Sequence, residues 1–114
     1  MDPVSAALIN RSLDGLSMRI VATAENIANA NSRNFAPVRV RFEDALRAAS
    51  TQGVDAIRQV TPRMESDPSV RAGTEMRVDL ELATASATAM RYSALLDLLS
   101  RQMQISRIVI RGGQ

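Results

Sequence analysis

The stretch Ala24-Glu25-Asn26-Ile27-Ala28-Asn29-Ala30-Asn31-Ser32-Arg33-Asn34-Phe35 decides the fold, because a long amphipathic pattern ends there in a cluster of asparagines. Asparagine inside a helix competes for backbone hydrogen bonds and costs some tenths of a kcal/mol, so its placement here needs a reason. Asn26 and Asn29 fall within the helical pattern, and Asn31 and Asn34 just past it. Two readings are open: side chains bonded to neighbouring backbone, or a helix fraying into an Asn-rich cap that tolerates the left-handed conformation.

Upstream of this stretch everything reads as one helix. Asp2 can cap orphan amides and Pro3 at the first helical position needs no donor, so the helix is predicted from Pro3 to about Asn31. Ala6, Ile9, Leu13, Leu16, Ile20, Thr23, Ile27 and Ala30 recur at alternating spacings of three and four, the seam pattern of a coiled coil. Leu8, Val21, Ala24 and Ala28 widen the stripe. A stripe this long requires a partner along its length, since isolated helices are marginal in water.

The chain supplies one partner, Val78 to about Arg111. Leu82, Ala85, Ala89, Tyr92, Leu96, Leu99, Met103, Ser106 and Ile110 again alternate three and four, with Leu95, Leu98, Ile105 and Val109 broadening the face. Asp97, Arg101, Gln104, Arg107 and Arg111 fall on the other side, and Gly112-Gly113 is the expected stop. Asp79 and Glu81 read as a helix start on a solvated face. Pairing the two helices antiparallel through these seams leaves flanking apolar rows uncovered, which predicts further partners.

Between the helices, residues 32–77 read as a largely irregular middle segment. Val38-Arg39-Val40-Arg41-Phe42 alternates with period two and suits an extended segment after Pro37. Phe42, Ala45, Leu46 and Ala49 then predict a short helix to Ser50, ended by Gly53. Val54 to Gly73 reads as loop, with room for a short strand at Ile57 to Val60. The expected fold is therefore all-α: one domain over 1–114, two long antiparallel terminal helices in a coiled-coil-like hairpin, and an irregular middle.

Composition limits the chemistry. All 14 basic residues are Arg, and Lys, His and Cys are absent. The sequence pI of about 10.4 reflects missing titrating groups, and a net charge of +2 is not a nucleic-acid footprint. Without His or Cys there are no usual zinc or haem ligands and no disulfide framework. No Gly-rich phosphate loop or convergent reactive cluster is present, so no catalysis, cofactor, metal or small-molecule substrate is expected. Met1-Asp2-Pro3-Val4-Ser5 lacks a basic and apolar secretory leader, and no apolar run approaches the ~18 residues of a membrane span. The expectation is a protein that stays in the cytoplasm or leaves by a route that cleaves nothing.

Ala24-Glu25-Asn26-Ile27-Ala28-Asn29-Ala30-Asn31 at the end of an N-terminal helix resembles the N-terminal motif of the flagellar axial proteins, the rod, hook and hook-associated subunits. The motif's usual continuation is Thr-Pro-Gly-Tyr-Lys, where this chain has Ser32 to Ala36. Further resemblance lies in Val40-Arg41-Phe42-Glu43, in Val60-Thr61-Pro62-Arg63-Met64, in Val78-Asp79-Leu80-Glu81 and in Met90-Arg91-Tyr92-Ser93-Ala94-Leu95, in consistent order along most of the chain. The resemblance implies a basal-body rod subunit, exported through the flagellar type III apparatus and assembled in the periplasm with itself, other axial rod subunits and the basal-body base. It also implies that the terminal helices form the inner layer of a tubular assembly, with Leu13, Leu16, Ile20, Asn26, Ile27, Asn29, Asn31, Phe35, Tyr92, Leu96, Leu99 and Met103 as packing and assembly residues. Two other classes fit the patterning: a helical-hairpin adaptor or secretion chaperone, and a membrane-surface module built on the Arg-bearing helix from Arg91 to Arg111.

Overall fold

The computed structural model describes residues 1–71 and 74–112. Helix α1 spans Pro3–Ala28 and starts as the sequence dictates: Asp2 Oδ1 accepts the Ser5 N–H at 2.8 Å, and Ser5 Oγ donates to Asp2 Oδ2 at 2.8 Å. It ends three residues before Asn31. Asn29 stops it by directing both its backbone N–H (3.0 Å) and its Nδ2 (2.9 Å) to the Glu25 carbonyl, and Asn34 takes a left-handed φ of 62° in the turns that follow.

Strand β1 (Val38–Arg41) follows, then helices α2 (Glu43–Ser50) and α3 (Val54–Gln59), strand β2 (Arg63–Ser66) and helix α4 (Val78–Gly112). The strands pair antiparallel, Val38 opposite Ser66 and Arg41 opposite Arg63. The two long helices run antiparallel, as expected, but the fold is mostly helical and not purely α, and the middle holds two short helices and a two-stranded sheet where one short helix and one short strand were expected. Ile57 to Val60 is the end of α3 and its cap, not a strand, and the strand lies at Arg63–Ser66 in the stretch expected to be loop. Gly53 opens α3 with φ of 101° instead of closing α2, which ends at Ser50 with Thr51 as its cap. The short period-two signal of β2 was hidden because only Met64 turns inward. The Gly112-Gly113 stop lies partly outside the described residues; α4 runs through Gly112.

The core gathers on α1. Ala7, Leu16 and Ala22 meet Val40, Phe42, Leu46, Ala49 and Ile57, the last fully buried. α1 is thus a shared spine, with the hairpin, α2 and α3 on one side and α4 along another. Gly15 makes the close approach to the middle layer: a Cβ there would sit 2.6 Å from Phe42 Cζ, inside the ring's contact distance. This moves the widening of the stripe. Ala22 and Asn26 are buried, whereas Val21, Ala24 and Ala28, expected to widen it on the other side, are exposed.

The seam on α1 is buried as the spacing predicts, with Ile9, Leu16 and Thr23 buried and Ala6, Leu13, Ile20 and Ile27 half-buried, whereas Ala30, expected to continue it, lies half-buried in the turn beyond the helix end. The seam on α4 is not. Its inward residues are Glu81, Ala85, Thr88, Tyr92, Leu95, Leu99 and Gln102, again spaced four and three, while Leu82, Ala89, Leu96, Met103, Ser106 and Ile110 are exposed. The expected and observed seams share Ala85, Tyr92 and Leu99 and differ in the neighbouring row by one residue.

Candidate assembly surface

The turn of the seam on α4 begins with a polar interior that the sequence hid. Asn26 is 0% exposed. Its Oδ1 accepts the Val38 N–H at 2.8 Å and its Nδ2 donates to the Val38 carbonyl at 3.0 Å, so the side-chain amide pairs with β1 as a neighbouring strand would. The remaining Nδ2 hydrogen goes to Glu81 Oε2 at 3.0 Å, and Arg39 Nη1 closes on Glu81 Oε1 at 2.6 Å. Arg39 Nε also reaches Asp67 Oδ2 at 3.2 Å. Glu81, only 3% exposed, is therefore a paired interior carboxylate and not part of a solvated face. Removing one partner would strand the other at a cost of about 3–5 kcal/mol, so this cluster fixes the mutual placement of α1, β1, the loop before α4 and α4 itself. No described buried side-chain polar atom lacks a partner.

A second tie holds α1 to the start of α2. Arg19 grips Glu43 with Nη1 at 2.8 Å and Nη2 at 2.6 Å, donates to the Val40 carbonyl at 2.7 Å, and lies 5.0 Å over the Phe42 ring. The Arg19 hydrogen bonds hold the Glu43 carboxyl below its ordinary range. Asp67 is lowered too, chiefly because Ser69 donates from its hydroxyl and backbone N–H, and further by Arg39.

Against this interior one outer row of α4 is apolar and exposed. Leu82, Ala89, Leu96, Met103 and Ile110 recur every seven residues and form one row, with Leu96 45% and Met103 53% exposed. On the opposite flank of the seam, Arg91, Ala94 and Leu95 share a cavity of about 340 Å³ with Ser12, Leu16, Phe42 and Glu43. The exposed row therefore lies on the flank turned away from the middle layer. The antiparallel register also leaves an overhang. Glu81 lies against Asn26, and Leu98 and Gln102 line a cavity with Ser5, Leu8 and Ile9, so α1 is used up near residue 104. Every residue from Met103 to Gly112 is exposed, Ile108 at 69%, in a projection of about 15 Å at ~1.5 Å per residue.

The residues expected to act in assembly divide accordingly. Leu16 and Asn26 are committed to the interior; Leu13, Ile20, Ile27, Tyr92 and Leu99 are half-buried between the long helices; Leu96 and Met103 stand outside that pairing. Asn29 caps α1, and Asn31 is exposed in the turn beside half-buried Phe35; both line a cavity of about 250 Å³ with Thr74, Glu75 and Met76. Gly15, Arg19, Arg39, Glu43 and Glu81 were missed. Only Glu81 carried a signal, an acid four residues before Ala85 and seven before Thr88, in seam register. The chain matches no protein-family model and no curated protein.

Proposed function

We propose that this chain is a structural, non-catalytic subunit of the bacterial flagellar basal-body rod, of the proximal FlgB type, built into the periplasmic shaft through its terminal helices. The observation that carries the reading is the pairing of a core gathered on α1 with an α4 whose most apolar row and last ten described residues are exposed among the described residues. An exposed apolar strip of this length on a monomer is a partner surface. Ordered motif resemblance along most of the chain supports an axial partner, and an elongated body of 63 × 27 × 14 Å suits side-by-side packing in a tube. Repetition of one such contact around a screw axis gives an open assembly, with α4 of one subunit against the flank of the next. Export through the flagellar type III apparatus and contacts with other rod subunits and the basal-body base complete the reading.

The test is genetic and biochemical together. Deletion of the gene is expected to abolish motility and the rod, and the product is expected in basal bodies purified from the parent strain. Intact rods in the deletion strain would remove this function and leave an adaptor or chaperone role, for which the same exposed row would hold a client.

A further inference from the structure

We propose that Glu81 is a positioning residue that sets the roll of α4, and thereby decides which row of that helix the molecule keeps inside and which it offers outward. Helix α4 carries two overlapping seams that share Ala85, Tyr92 and Leu99. One adds Leu82, Ala89, Leu96 and Met103; the other adds Glu81, Thr88, Leu95 and Gln102. The first is the more apolar, and burial of hydrocarbon alone selects it. The structure uses the second. The two arrangements are related by a roll of roughly 50° about the helix axis, half the step between successive residues.

The second seam wins because of what α1 and β1 present to it. Asn26 is locked to Val38 through both ends of its amide, and its last hydrogen needs an acceptor. Arg39 points a guanidinium at the same place. Glu81 answers both at 3.0 and 2.6 Å; Leu82, which the other roll would bring there, answers neither. Thr88 is tolerated inside because its hydroxyl donates to the Thr84 carbonyl of its own helix at 2.6 Å. One carboxylate thus prevents pairing within the chain from consuming Leu82, Leu96 and Met103. What those side chains then meet rests on the proposed function, but the roll itself does not.

The chain has no cysteine, so introduced pairs report the roll without background. Ser12 and Leu95 line one cavity, and Leu96 does not. In dilute full-length protein, a short thiol-bridging reagent is expected to link S12C/L95C several-fold more than S12C/L96C. Exchanging the two residues at the start of the helix, Glu81→Leu with Leu82→Glu, keeps composition and moves the carboxylate by one position. The preference is then expected to invert in favour of S12C/L96C. Retention of the S12C/L95C preference would assign the roll to apolar packing, and loss of linkage at both pairs would make Glu81 a mere support; either result overturns the proposal. The readout needs no assembly, so it stands or falls separately from the presence of the protein in basal bodies.

Discussion

Two residues at the contact between α1 and the middle layer, Gly15 and Glu43, each carry a testable consequence. Replacing a helical glycine by alanine normally gains about 0.5–1 kcal/mol, yet the Phe42 ring occupies the space a Gly15 Cβ would need. Gly15→Ala is therefore expected to destabilise by about 1–3 kcal/mol, the usual cost of overpacking, read as a lower urea midpoint at unchanged slope; an unchanged or higher midpoint would contradict the close approach. Glu43 makes a pH prediction. Its folded-state carboxyl is depressed by the Arg19 hydrogen bonds, so its contribution is present above the unfolded value of about 4.3 and is lost as pH falls through the lower folded value. Asp67 acts in the same direction. Stability should hold from neutrality to about pH 5 and fall progressively below about 4, and Glu43→Gln should flatten that fall in melts taken across the range.

At the scale of elements, α4 separates two tasks that a single seam would merge. Leu95 is half-buried against the α1 side and Leu96, its neighbour, is mostly outside. Leu95→Asp is expected to cost several kcal/mol by burying an unpaired charge, seen as a lowered melting temperature of the monomer. Leu96→Asp should leave the monomer's melt within about 0.5 kcal/mol of wild type and instead block self-association in sedimentation. Equal loss of monomer stability in both variants would show that the exposed row is part of the fold. The middle elements show a different lesson: α3 is six residues long and could not stand alone, yet it places Ile57 in the most protected site of the core.

The whole molecule is a graded structure. α1 is flanked on both sides, whereas α4 is held at its start by a polar cluster and in its middle by one seam, and beyond Gln102 it is exposed among the described residues. Amide exchange in the dilute protein should follow that order. Leu16 to Asn26 should be the slowest, Thr88 to Leu99 intermediate, and Ile105 to Arg111 close to unprotected, because local opening follows buried contacts. Uniform protection along α4 would mean that the overhang is already covered, for example by another copy, and that the monomer is not the free species.

The sequence by itself determined the two long helices, their antiparallel pairing, the Asp2-Pro3 start, the extension at Val38 and the short helix after Phe42, since local signals of period, cap and breaker are written within a few residues. It also marked Leu13, Leu16, Ile20 and Ile27 as inward-facing, because α1 carries only one continuous seam. On α4 the same rule was ambiguous, for two seams share one row, and periodicity cannot choose between them. That choice required knowing that Asn26, Val38 and Arg39 converge on a single point, a meeting of residues far apart in the chain. The same holds for Gly15 beneath Phe42 and for β2 beside β1. Tertiary structure decided them because the forces involved, a buried amide needing its last partner and a ring needing room, exist only once distant segments are in contact.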